Sequence, residues 1–344
     1  MVFSVLGILI PTLIEIYVQL CEKNMDAVIE CLPNSIAAAT SIVKLLNVHM
    51  NRKNFKKMYD FVTREWEQLK LHDELHVLED ITAQGGKLAQ LYRNTLLSCM
   101  VLFLLIPLLF PFMDIVLPLN ETRPRKQGFR VNYLLFDQEN YFFSVYFQLA
   151  WGAIVVVMII ITLDSLYMII IHQASGMFAV CSYQVKKATE YKNSFGNSAI
   201  SANYMHELFK RCVATHNKAI QFYEILNDSS RNSYLIQTVL TLDRPEEALR
   251  CGVFLGAEQF HLFVISLPGQ VLLDHCTALT NEIYCSTWYD VPVKFQRIIY
   301  TMQIRSLRPC VLTAGGLYEM NIENFGTTFK TCMSYFTMLM SLRE

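Results

Sequence analysis

Long uncharged apolar runs alternate along this chain with stretches in which charged and apolar residues interleave at helical spacing. Two runs, 94–113 (NTLLSCMVLFLLIPLLFPFM) and 140–163 (NYFFSVYFQLAWGAIVVVMIIITL), are long enough to cross a bilayer unaided, since about 20 apolar residues span the hydrocarbon. Two more carry one charge each: 1–20 with Glu15, and 32–50 with Lys44. A fifth, 251–273, can span only with Glu258, Gln259 and His261 inside. Such groups belong in a bundle interior, either as hydrogen-bonded packing groups or as part of a ligand or ion site. The closing uncharged run, 331–342, is too short alone and crosses only by recruiting Asn321, Glu323 and Lys330 upstream. A terminal helix with polar residues at membrane depth faces protein or water, as a pore-lining helix or one packed inside a bundle does.

The interleaved stretches are 51–93 and 172–232. In the first, Phe55, Met58, Phe61, Val62, Trp66 and Leu69 recur at helical spacing among charges. The two stretches hold eight and seven Lys/Arg, against one (Lys23) and four (Arg123, Arg125, Lys126, Arg130) in the loops on the other side. The positive-inside rule therefore places both stretches and the N-terminus in the cytoplasm. The N-terminal run lacks a basic leader and a small-residue cleavage site, so it reads as a spanning helix after a cytoplasmic leader, not a signal peptide. Asn120-Glu121-Thr122 is a glycosylation sequon on the outer side, and a second sequon at Asn227 falls inside.

Composition agrees with a multispanning membrane protein. Of 344 residues, 53% are hydrophobic and 17% charged, against about 25% charged in soluble domains, and mean hydropathy is +0.29. A net charge of -1 gives no sign of nucleic-acid binding. The ten cysteines are scattered from Cys21 to Cys332 without a C-x-x-C pair. Cys21 and Cys31 could share an outer loop, although isolated small apolar cysteines are the simpler reading. No zinc-type cluster and no cofactor motif occurs.

Several stretches together resemble the insect odorant receptor family along nearly the whole chain: IECLPNSIAAATSIVKLLN, NRKNFKKMYDFVTREW, HNKAIQFYEIL, DRPEEALRCGVFLGAEQFHLFVISLPGQVLLDH and LRPCVLTAGGLYEMNIENF…SYFTMLMSLR. The resemblance is to the expanded receptors of ants, bees and wasps. It implies an all-α, polytopic membrane protein with seven transmembrane helices in inverted topology, N-terminus inside. It also implies a ligand-gated, non-selective cation channel, a heterotetramer with the odorant receptor coreceptor. Its ligands would be small hydrophobic odorants, volatile or cuticular, and its place the plasma membrane of olfactory sensory neurons.

Mapped onto this chain as one domain, 1–344, the seven helices fall at about 3–20, 32–50, 94–117, 140–171, 233–242, 251–273 and 319–342, with cytoplasmic helical regions at 51–93, 172–232 and 274–318. The fifth is truncated: ten residues make a helix of about 15 Å, half the hydrocarbon thickness. Without that crossing, Lys294, Arg297, Arg305 and Arg308 would fall outside. The family's terminal pattern places the pore gate at Met338 and Leu342, four apart on one helix face. Asn321, Asn324 and Thr328 are the corresponding vestibule candidates. The implied odorant pocket lies in the outer half of the bundle, where Phe110, Met113, Tyr146, Phe147, Trp151 and Phe254 supply apolar and aromatic walls. The stretch 297–317, with Trp66 and Trp288, is expected to pack in an inner cytoplasmic layer.

Other classes fit less well. A G-protein-coupled receptor would carry D-R-Y and N-P-x-x-Y, and a secondary transporter would show internal repeats. An enzyme would bring His261, Glu258 and Asp164 into catalytic spacing, but they are dispersed. A gustatory-type channel subunit, and a truncated receptor or pseudogene product that does not conduct, remain the alternatives.

Overall fold

A computed structural model describes residues 1–71, 74–116, 130–133, 141–195, 199–242 and 252–343. The described chain is almost entirely helical: α1 Val2–Cys21, α2 Met25–Met50, α3 Arg52–Leu71, α4 Leu75–Val116, α5 Phe142–Phe195, α6 Ala199–Leu242, α7 Gly252–Cys285, α8 Val293–Ser306 and α9 Ile322–Arg343. A short antiparallel hairpin, β1 Thr313–Ala314 and β2 Tyr318–Glu319, sits between α8 and α9.

Five helical segments among the described residues are long and apolar enough to cross a membrane: α1, Glu30–Met50 of α2, Leu75–Leu105 of α4, Phe142–Glu190 of α5 and Gln259–Cys285 of α7. The changes from polar to apolar sequence near residues 94 and 172 are not helix ends, because α4 and α5 run straight through them. Residues 233–242 are likewise the final part of the 44-residue α6.

The largest buried core lies where the polar parts of the helices meet, not in the apolar halves. The apolar face of α3 (Phe55, Met58, Phe61, Val62) packs there on α5 and α6, together with Leu272 and Leu279 of α7 and Phe295, Ile299 and Met302 of α8. Phe61 stacks on Phe222, and Phe209 on Phe295, at ring-centroid distances of 5.1 and 5.2 Å. Buried carboxylates brace this layer across helices. The fully buried Glu74 accepts from Gln184 (2.6 Å) and Arg211 (2.7 Å), and Glu65 pairs with Lys218 (2.7 Å). Trp66 packs on a separate small cluster of Leu69, Leu78 and Val180 and donates to Gln173 of α5, whereas Trp288 is 38% exposed. A smaller cluster of Val5, Ala38, Val156, Ile159 and Leu163 joins α1, α2 and α5.

The hairpin is clamped to one face of α6. Tyr223, Asn227 and Arg231, each one turn apart, engage the Val311 carbonyl (2.8 Å), the Thr313 N–H (3.0 Å) and the Gly315 carbonyl (2.9 Å). Gly315 and Gly316 take φ of +64° and +75°, values that only glycine adopts without strain, and so close the turn from Ala314 to Leu317. Asn227→Ala should lower stability by about 1–3 kcal/mol, because the Thr313 amide loses its acceptor. A melting temperature equal to that of the parent would show that the clamp does not hold the hairpin.

Candidate functional site

Four helices that the sequence separates widely meet at one buried carboxylate. Asp164 of α5 forms an ion pair with Lys44 of α2, their side chains only 2% and 3% exposed. The same carboxylate accepts the Tyr92 hydroxyl of α4 at 2.9 Å and lies 3.0 Å from Nε2 of His261 of α7. The Tyr92 and His261 rings stack at 5.8 Å. One turn along α2 and α5 there is a second polar layer: Asn47 donates to the Tyr167 hydroxyl (2.8 Å) and to the Ser229 carbonyl of α6 (3.0 Å). Tyr167 also packs on Phe55 and Tyr234, both at 5.7 Å. A buried lysine is tolerable only when paired and hydrogen-bonded. These two layers make Lys44 and Asp164 a structural unit that joins α2, α4, α5, α6 and α7.

On its other side α7 carries the terminal helix. Gln259 donates to Cys332 Sγ (3.6 Å), Phe263 packs on Phe325 (5.2 Å), and Gln270 accepts the Ile322 N–H (3.2 Å). Asn321 caps α9 by accepting the Asn324 N–H at 2.8 Å. Thr328 is buried against Tyr318, its hydroxyl 3.4 Å from the tyrosine oxygen, and Asn324 donates to the Glu319 carbonyl. These three vestibule candidates therefore support the joint with the hairpin. A different face of α9 is exposed, with Glu323, Thr327, Lys330, Thr331, Ser334, Met338 and Ser341 recurring at helical spacing. The Thr327, Thr331 and Ser341 hydroxyls donate back to carbonyls of the helix.

This helical chain matches a known family. The family model for the 7tm odorant receptor covers residues 24–333. The chain belongs to the odorant receptor family. The receptor is 22% identical over 307 residues to odorant receptor Or2 of Anopheles gambiae, covering 84% of this chain and 78% of that protein. With odorant receptor 33b of Drosophila melanogaster it shares 25% identity over 145 residues, 38% of each chain. Its fold is similar to that of the insect olfactory receptor OR5 from Machilis hrabei in complex with eugenol. The TM-score is 0.69 at 12% identity, covering 99% of this chain and 88% of that one.

The remaining candidates of the receptor are placed as follows. Tyr146 is buried, donates to the Leu104 carbonyl of α4 at 2.7 Å, and stacks on Phe142. Phe147 and Trp151 point outward from α5, 67% and 63% exposed. Val145, Tyr146 and Leu149 are the buried residues of α5 at that level. Phe110 and Met113 lie on α4, Phe254 on α7 and Leu342 on α9, but their side chains are outside the described residues, as is Asn120 altogether. Met338 is 55% exposed. Polarity within apolar runs had marked Lys44 and His261, but nothing in the linear pattern shows that they share Asp164, 120 and 97 residues away.

Proposed function

We propose that the receptor is the odorant-binding subunit of a ligand-gated, non-selective cation channel assembled with the odorant receptor coreceptor in the plasma membrane of olfactory sensory neurons. The N-terminus and the core layer around α3 and α8 are cytoplasmic in this reading, in line with the basic residues concentrated there. The observation that carries the reading is the exposed face of α9. It offers two charges near its start, Glu323 and Lys330, then hydroxyls interrupted by Met338. Lining a pore, the hydroxyls of this face would hydrate a passing ion, and rings at Met338 and Leu342 would exclude water until they part. Small apolar ligands would occupy the outer half between α2, α4, α5 and α7, above the Asp164 cluster. Eugenol, bound by the Machilis hrabei receptor, is a ligand of this chemical type. A ligand that fits the open arrangement better shifts the population towards it.

Co-expression with the coreceptor tests this. Met338→Ala should raise the current without odorant several-fold, because a smaller side chain rewets the constriction. Basal and evoked currents that stay unchanged across Met338→Ala, Thr331→Trp and Ser334→Trp would remove α9 from the pore.

One observation favours a second reading, a subunit that reaches the membrane but does not conduct. Arg231 is still bonded to the hairpin, which leaves eleven residues of α6, 232–242, before the sequence Asp243-Arg244-Pro245-Glu246-Glu247. Eleven helical residues reach about 16 Å. Surface expression without any current, even with the coreceptor present, is the outcome that reading requires.

A further inference from the structure

Four cysteines spread over 130 residues of sequence converge in the core beside α8. Cys181 of α5 and Cys212 of α6 touch, Sγ to Sγ, at 3.7 Å, and both are completely buried. Cys276 of α7 and Cys310, just ahead of β1, form the second pair, on the wall of one small cavity. The surroundings of the two pairs differ. Cys276 and Cys310 line a small cavity with Arg305, Arg308, His216 and Phe178, with room for about one water-sized molecule. Arg308, at its rim, is exposed. The Cys276 hydrogen bond and the Arg305 guanidinium hold the Cys310 thiol below the ordinary thiol value despite burial. Burial, and then Arg305, push His216 down to about 4, so its imidazole is neutral there. A thiolate-prone sulfur, a second thiol on the same cavity wall, and arginines at a cavity that reaches the exposed Arg308 are what reversible thiol oxidation requires.

We propose that Cys276 and Cys310 form a peroxide-sensitive dithiol, a modification site at which oxidation ties α7 to the segment leading into the hairpin and α9. The Cys310 thiolate attacks one peroxide oxygen and breaks the O–O bond, giving Cys310 sulfenic acid and hydroxide. The Cys276 sulfur then displaces the sulfenic hydroxyl, which leaves as water with the Cys276 proton. The two thiols lose two electrons and two protons in all, and the peroxide is reduced to two waters. The closure requires the two sulfurs to reach bonding distance, about 2 Å. The reduced form as the resting state rests on the cytoplasmic placement proposed above.

The test is independent of that placement and of channel activity. Full-length receptor is purified in detergent under reductant, desalted, treated with hydrogen peroxide, alkylated, and mapped by peptide mass spectrometry without reduction. The Cys276–Cys310 linked peptide should accumulate roughly tenfold faster than a Cys181–Cys212 link, whose sulfurs lack the cationic cavity. Reductant should reverse it. In Cys276→Ser, dimedone should trap Cys310 as sulfenic acid. Equal rates for the two pairs, or oxidation confined to the exposed Cys21, Cys99 and Cys285, would overturn the proposal. The wild-type map decides this even where the variant folds poorly.

Discussion

Asp164→Asn should remove nearly all folded receptor from the cell surface. The substitution keeps the shape of the side chain and one acceptor oxygen but takes away the carboxylate charge paired with Lys44, whose side chain is 3% exposed. Breaking a buried pair from one side costs about 3–5 kcal/mol, because the remaining charge stays buried without compensation. Total stabilities are only about 5–15 kcal/mol. The loss is compounded here because Tyr92 and His261 share the same carboxylate, so the junction of α2, α4, α5 and α7 loosens at once. Lys44→Met combined with Asp164→Leu should recover much of the surface expression, since replacing both charges with apolar groups leaves nothing stranded. Surface biotinylation and detergent thermal-shift measurements on the single and double variants check this. A single variant that melts within about 2 °C of the parent would show that the ion pair is not structural.

The helical class of this receptor, and much of its membrane character, could be read from the uncharged runs, because a 20-residue apolar stretch has few other homes. What the pattern could not give was where helices end. Hydropathy reports the solvent around a helix, and solvent changes near residue 94 while the backbone of α4 continues. Residues that looked like separate cytoplasmic and spanning elements are therefore one helix. The site was legible only in pieces. Lys44 and His261 each stand out as a polar residue in an apolar run, and Asp164 follows directly after one, but their meeting depends on helix packing and leaves no trace in local spacing. On α9 the sequence marked polar residues without telling one face from another. Asn321 is engaged in capping and Thr328 in hairpin contact, whereas Thr327 and Thr331, equally polar, lie on the exposed face.

Gly269→Ala should uncouple the terminal helix from α7, with a loss of stability of at least about 3 kcal/mol and no odorant-evoked current. Pro268 and Gly269 lie inside α7, where their intrinsic helix costs are about 3 and 1 kcal/mol. A close backbone contact explains why they are there. A Cβ at Gly269 would lie 1.9 Å from the Met320 carbonyl oxygen, which belongs to main chain at the end of the hairpin, held by the Met320 N–H to Leu312 carbonyl bond (2.9 Å). Backbone in that position cannot swing away as a side chain tip would. The strain would instead separate α7 from the hairpin and break the Gln270 contact to the Ile322 N–H. Overpacking normally costs about 1–3 kcal/mol, and more when nothing can move. Gly86 of α4 provides the control, because its Cβ would meet nothing within 4 Å. Gly86→Ala should be neutral or stabilise by about 0.5–1 kcal/mol through helix propensity alone. Thermal shift and coreceptor-dependent current, measured on both variants, separate the two effects. If Gly269→Ala behaves like Gly86→Ala in both assays, α7 does not hold the terminal helix through this contact.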